Sequence, residues 1–340
     1  MPVISIVMPV HNAGLYLTPA IESILKQTYK DYEFIIINDA SNDNSLDIAK
    51  SYDDPRIVLV ENKKNMGVAW TLNRGISLAR GRYIARMDAD DISVPKRLEW
   101  QFRFMEAHPE VGVSGGWVKH FGIGLPTIAR VPLDPQEVFG YMHFENPIWH
   151  MSVIMRKEVL VKFDLKYDSS FSRSEDYDLW TRAIQYFPMA NIAEVLVYVR
   201  EHCGSATRAN WGEVTDQTEI IQRRLLERAG LSPSSEEIVF HHRVGRGYRM
   251  GSRQEIDKAE AWLQRLCKAN TESKQIADIS FRRAVAIVWF RVCANSGPLG
   301  PWIFRKWRTS PLANGFPQPF AAAARFAASI GWHQCRRVVS

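Results

Sequence analysis

The chain has 340 residues, 46% of them hydrophobic and 24% charged, an ordinary globular composition with room for one large domain plus a smaller one, or for two of ordinary size. Its four cysteines (Cys203, Cys267, Cys293 and Cys335) are widely spaced without a C-x-x-C pair, which argues against a zinc knuckle or a disulfide framework and fits a reducing, cytoplasmic compartment. The net charge of +6 is uneven: residues 281–340 hold nine Lys and Arg and no Asp or Glu, so the rest of the chain is slightly acidic, and the tail points to an anionic surface.

In chain order, the β-branched run Val3-Ile4-Ser5-Ile6-Val7-Met8-Pro9-Val10 predicts a buried strand. No basic residue precedes it and no small-residue cleavage site is present, so it reads as a first core strand and not a signal peptide. His11-Asn12-Ala13-Gly14 breaks the run, and residues 15–27 carry Leu17, Ile21, Ile24 and Leu25 at helical spacing. Residues 34–37 predict a second buried strand ending in Asn38-Asp39-Ala40-Ser41-Asn42-Asp43. A helix over 46–52, a strand over 57–60, the turn Asn65-Met66-Gly67 and a helix over 68–79 follow. Gly81 opens a further strand that delivers Arg86-Met87-Asp88-Ala89-Asp90-Asp91. Strands alternating with helices, the strands apolar nearly throughout, indicate an α/β fold with a mostly parallel sheet covered on both faces. In such sheets ligands sit outside the carboxyl ends of the strands, where His11-Asn12, Asn38-Asp39, Asn65 and residues 88–91 all fall.

Two motifs bear on chemistry. Carboxylates at i and i+2 of extended chain point to one side, so Asp88 and Asp90 are placed to share a hard divalent cation such as Mg²⁺; a solvated acidic turn is the alternative. Phe171-Ser172-Arg173-Ser174-Glu175-Asp176 opens a helix that runs on through Ala183. Ser174 suits its N-cap, and the two acids suit its first turn without any catalytic role. Neither a dinucleotide fingerprint nor a P-loop is present.

The segments Ser5-Ile6-Val7-Met8-Pro9-Val10-His11-Asn12, Ile36-Ile37-Asn38-Asp39-Ala40-Ser41-Asn42-Asp43, Asn65-Met66-Gly67 and Met87-Asp88-Ala89-Asp90-Asp91 together resemble the family 2 glycosyltransferases, inverting nucleotide-sugar-dependent enzymes of the GT-A fold. The resemblance covers roughly residues 2–205. It implies a GT-A domain over 1–209 and leaves a helical C-terminal region over 210–340. Where the family carries Asp-Asp-Gly-Ser, this chain has Asn38-Asp39-Ala40-Ser41. The retained acid, Asp39, is implied to bind the nucleotide base, and its polarity suits uracil or thymine better than adenine. The donor-binding residues expected with it are Pro9, His11, Asn12, Asn65, Gly67, Asp88 and Ala89. Asp176 matches the family's general base, beside Glu175. Arg200-Glu201-His202 resembles the family's strand-end Tyr-Arg-x-His. His202 thereby joins Asp88 and Asp90 as a candidate ligand of a divalent cation, Mn or Mg, and His150 is a candidate on the acceptor side; a lone histidine is more often structural than a ligand, and that is the alternative for both.

The expected function is inverting transfer of a sugar from a nucleotide-diphosphate sugar, UDP favoured, to a hydroxyl on a lipid-linked or growing glycan. A sugar-nucleotide nucleotidyltransferase and a non-catalytic nucleotide-sugar-binding module are the competing classes. The first would be expected to carry a cationic Gly-rich loop where His11-Asn12-Ala13-Gly14-Leu15 stands. The expected partners are the donor, the glycan acceptor and an anionic membrane surface, and not nucleic acid. No stretch reaches the ~20 apolar residues that span a bilayer. The basic tail, with Trp289, Trp302, Trp307 and Trp332, is instead expected to attach reversibly to the inner membrane face or to pack as a helical cap.

Overall fold

Each of the β-branched runs in the first ninety residues forms a strand in the computed structural model, which describes residues 1–202 and 211–316. The expected boundary at 209/210, Cys203, Cys335, Trp332 and the last three of the tail's nine cations lie outside the described residues. The chain divides into two compact units, Met1–Val138 with Pro147–Gln217, and Phe139–Asn146 with Thr218–Ser340.

The first unit runs β1 (Ile4–Val10), α1 (Leu17–Leu25), β2 (Tyr32–Asn38), α2 (Ser45–Lys50), β3 (Ile57–Glu61), α3 (Val68–Leu78), β4 (Tyr83–Arg86), β5 (Ile92–Ser93), α4 (Arg97–Ala107), β6 (Val113–Gly122), β7 (Thr127–Ala129) and the start of α5 (Pro135–Met142), whose second half belongs to the other unit. After α5 come β8 (Ile154–Arg156), α6 (Lys157–Lys162), α7 (Glu175–Ala183) and β9 (Met189–Glu201). The sheet order is β3-β2-β1-β4-β8-β6-β9-β5, with β7 on the outside of β6. The expected parallel architecture is its first half: β1 pairs in parallel with both β2 and β4, and β2 with β3. The second half is mixed, because β8 enters antiparallel to both β4 and β6 while β6 and β9 run parallel.

Apolar periodicity explains why α1 lies on the sheet. Leu17, Ala20, Ile21 and Ile24 are buried at i, i+3, i+4 and i+7 against Ile4, Ile6 and Met8 of β1 and Phe34 and Ile36 of β2. Each such Leu or Ile contributes about 1.5–3 kcal/mol. With this face fixed, β1, β2 and β4 all deliver their polar ends to one edge of the sheet.

The second unit is helical: α8 (Trp211–Arg228), α9 (Ser235–Gly245), α10 (Arg253–Ser273), α11 (Asp278–Asn295) and α12 (Trp302–Thr309), α8 beginning in the first unit. A capping box, Ser234 with Glu237, starts α9. Its core fits the helical-cap alternative for the described part of the tail. Trp289 and Trp307 are buried among Leu263, Val285, Val292 and Ile303, and Trp302 is half-buried beneath the Arg253 guanidinium, 4.8 Å from its ring. Helix α11 is apolar around most of its girth, so its tryptophan is a core residue. No helix among the described residues is long and apolar enough to cross a membrane.

Candidate active site

The loops after β1, β2 and β3 are tied together by side chains. His11 donates from Nδ1 to the Asp39 carbonyl at 2.8 Å, which assigns its tautomer and leaves Nε2 to accept from Asn65 Nδ2 at 3.0 Å and Asn12 Nδ2 at 3.3 Å. Both amide orientations agree with this, since Asn12 Oδ1 accepts the Asn42 N–H (2.8 Å) and Asn65 Oδ1 the Gly67 N–H (2.9 Å). Asn12 and Ala40 both take left-handed backbone, at φ 52° and 53°. At the second of these positions the family motif carries glycine, for which that conformation has no steric cost.

Asp39, only 3% exposed, clamps the loop that enters α3. Its Oδ1 accepts from Asn62 Nδ2 (2.7 Å) and the Met66 N–H (2.9 Å), and its Oδ2 from the Gly67 N–H (3.0 Å). Gly67 presents that N–H from φ 83°, a conformation a side chain would strain. Three of roughly four lone-pair positions on the carboxylate are therefore used inside the protein.

The acidic motif converges by a bend, not by extended-chain alternation: β4 ends at Arg86 and residues 87–91 turn before β5. One carboxylate oxygen each from Asp88, Asp90 and Asp91 lie within 4.8 Å of one another, and His202 Nε2 is 3.0 Å from Asp90 Oδ2. Burial raises the Asp88 and Asp91 carboxyls, and the crowding of the three acids raises them further, against the opposing charge of Arg86. Such a cluster suits an added cation, and its all-oxygen carboxylate set with one imidazole suits Mn or Mg. Asp91 is the least available member, because it is 2% exposed and its Oδ1 accepts the Arg200 N–H at 2.8 Å. Two buried arginines support the turn from below. Arg86 pairs with Asp88 Oδ2. Arg97 donates to the Arg86 and Val153 carbonyls (2.7 and 3.3 Å) and, although burial and Arg86 lower it to about 9, stays charged at neutral pH.

A cavity of about 590 Å³ opens above these groups, lined by ten of the residues singled out from the sequence: Pro9, His11, Asn12, Asp39, Asn65, Gly67, Asp88, Ala89, Asp90 and His202. Its volume is in the range of small-ligand sites. Asp176, Glu175 and His150 are not in the lining and form a second group. His150 Nε2 lies 2.9 Å from the Tyr167 hydroxyl and its Nδ1 3.7 Å from Glu175 Oε1. That last contact is not an ion pair at neutral pH, since burial pushes His150 well below its usual range and, with Asp176 beside it, raises Glu175 to about 8. Asp176 Oδ1 accepts the Tyr177 N–H at 2.7 Å. Ser174 stands at the N-cap of α7, yet its side chain makes no capping bond. The charges of Arg86 and Asp88 both act on Glu175, so the two groups are electrostatic neighbours.

The sequence marks Asp91 only as part of the acidic motif, with no role of its own, and does not mark Tyr16 or Arg173 as site residues. Tyr16 and Arg173 line the cavity; Tyr16 packs on His202 with ring centroids 4.6 Å apart and lies 5.0 Å from the Arg200 guanidinium. Arg173 was legible as a cation in the segment that opens α7, whereas nothing in the spacing of Tyr16 marks it.

The profile described as "Glycosyl transferase family 2" matches residues 5–157. Among curated relatives, the "Putative glycosyltransferase EpsE" of Bacillus subtilis is 36% identical over 65% of this chain and 81% of its own length. The "UDP-Glc:alpha-D-GlcNAc-diphosphoundecaprenol beta-1,3-glucosyltransferase WfaP" of Escherichia coli is 30% identical over 72% of this chain and 90% of its own. Among solved structures, the mannosyltransferase PcManGT from Pyrobaculum calidifontis, in complex with GDP-Man and Mn²⁺, superposes with a TM-score of 0.54 at 16% identity. That match covers 97% of this chain and 87% of the other, a likeness of fold.

Proposed function

From the premise that the chain belongs to glycosyl transferase family 2 and moves a sugar from a nucleotide-sugar donor, we propose that the donor is a UDP-sugar, that a divalent cation assists, and that the acceptor is a lipid-linked glycan. One observation carries the reading: Asp88 and Asp90 converge at the floor of the same cavity whose wall is the Asp39-clamped loop Asn65-Met66-Gly67. A cation held by Asp88, Asp90 and His202 would supply Lewis-acid stabilisation of the leaving diphosphate. Asp91 takes a different part, fastening the acidic turn to β9 through the Arg200 amide.

The rest follows from the chain's own groups. The remaining lone pair of Asp39 accepts the N–H of the uracil base, and Arg173 on the cavity wall meets the diphosphate's charge. Asp176 removes the acceptor proton, which general-base catalysis makes worth ~10²–10⁴-fold. Glu175, raised to about 8, stays protonated at neutral pH and leaves a single negative charge at that pair. One base and direct displacement invert the anomeric carbon. The UDP and lipid assignments are supported by what the Escherichia coli relative is named for, and the cation by the manganese in the archaeal complex; a cytoplasmic site on the inner membrane face accords with a lipid-linked acceptor. The family match disfavours a nucleotidyltransferase. Incubation with a panel of nucleotide sugars and Mn²⁺ is expected to release UDP faster than GDP or dTDP. No release from any donor would leave a non-catalytic binding module.

A further inference from the structure

We propose that the β6–β7 hairpin is a membrane-docking wedge that seats the catalytic unit on an anionic lipid surface. The tail's buried tryptophans cannot make that contact, and the first unit carries a better candidate. At the hairpin Leu125 is 89% exposed, Ile123 50% and Ile128 44%, three large aliphatic side chains within six residues that all show substantial surface among the described residues. Isolated exposed apolar residues are ordinary, whereas a cluster marks an interaction site.

The face behind the tip selects the partner. Register places Ile128, Lys119 and Tyr198 side by side across β7, β6 and β9, hence on one face of the sheet. Along the same strands lie three cation–aromatic pairs: Arg130 over Trp117 at 5.2 Å, Lys119 over Tyr198 at 5.7 Å and Arg200 over Phe121 at 4.6 Å. Residues 111–133 contain no Asp or Glu at all. Glu201 of β9 falls on the opposite face by alternation, 2.9 Å from His120 Nδ1. Aliphatic tip, aromatic flank and the cations Lys119 and Arg130 are the chemistry of a bilayer's headgroup boundary, where Lys and Arg meet lipid phosphates and aromatic rings sit at the interface; Arg200 is instead tied to the acidic turn, donating from Nε to the Asp90 carbonyl at 2.9 Å. A neutral glycan would not call for the cations or for Leu125. Arg200 links the wedge to the reaction cavity, lying between Phe121 of the hairpin and Tyr16 of the cavity wall.

This inference supplies the lipid surface that the proposed acceptor needs, and so rests on that reading for its purpose. Its test is separate: the full chain is sedimented with phosphatidylglycerol/phosphatidylcholine vesicles and with phosphatidylcholine alone, and UDP release is followed on the same preparations. The wild type is expected to bind the anionic vesicles and to leave them at high salt. Leu125→Asp should weaken partition about tenfold or more, and Lys119→Ala and Arg130→Ala about fivefold each, with UDP release in solution unchanged. Exposure makes Leu125→Asp harmless to folding, which a melting curve checks. The proposal is overturned if the wild type stays in the supernatant, or if the hairpin variants sediment like the wild type. It is overturned too if the free protein is a dimer that Leu125→Asp dissociates, since a second copy would then cover the tip. Loss of UDP release in the wild type would count against the proposed function and not against the wedge.

Discussion

Asp39→Asn separates a residue that only touches nucleotide from one that also holds the site together. The carboxylate accepts from Asn62 and Met66 through Oδ1 and from Gly67 through Oδ2. An amide oxygen in the place of Oδ1 turns the amide NH₂ toward the Gly67 N–H, donor against donor. One charge-assisted bond is lost, about 1.5–3 kcal/mol, and the other two become neutral and weaker. Gly67 N–H keeps Asn65 Oδ1 at 2.9 Å and is not orphaned, which bounds the total at about 2–3 kcal/mol. For a unit of this size that lowers Tm by roughly 4–12 °C. Thermal unfolding with and without UDP reads both consequences, the second being weaker UDP binding because the freed loop lines the cavity. A variant that melts with the wild type while losing UDP would refute the clamp and leave Asp39 as a binding group alone.

Ala40→Gly should stabilise the protein by about 1 kcal/mol, because φ 53° costs an alanine ~1–2 kcal/mol that glycine does not bear; chemical denaturation with an unchanged or lower midpoint would contradict it. Asp176→Asn retains an acceptor for the Tyr177 N–H, so Tm should hold while turnover falls ~10²-fold or more; a fallen Tm with turnover intact would make Asp176 a structural residue only. Glu175, raised from 4.5 to about 8, binds more protons folded than unfolded. Its contribution is full below about pH 4.5 and is lost as pH rises to about 8, and Glu175→Gln should flatten that limb of the stability profile. His143 and His241, lowered by burial from 6.5 to about 4, act oppositely in the helical unit: their contribution is full above pH 6.5 and drains away towards pH 4. Unfolding free energy that stays level across that window would show them to be solvated.

The strands that bring polar ends to one edge were readable because each is a β-branched run bounded by turn residues: residues 3–10 were expected and Ile4–Val10 is found, and α7 starts at Glu175 and ends at Ala183 as expected. What periodicity cannot carry is pairing. β5 is two residues long and exists only because β9 lies beside it, and the antiparallel entry of β8 depends on partners far away in sequence. The convergence of Asp88 and Asp90 was expected from an extended chain and is produced instead by a bend, so the residues were legible and the geometry was not. Asp91 shared the motif, but its bond to the Arg200 amide spans more than a hundred residues. The tail tryptophans show the limit of composition: Trp289 and Trp307 look amphipathic by count and are buried by packing.

The most direct test of the account is titration of UDP into the full chain with and without Mn²⁺, for the wild type and for Asp90→Asn. The account predicts tight binding only in the wild type with the metal, and loss of that metal-dependent gain in the variant. UDP affinity unchanged by EDTA, or a metal-dependent gain that survives Asp90→Asn, would contradict it.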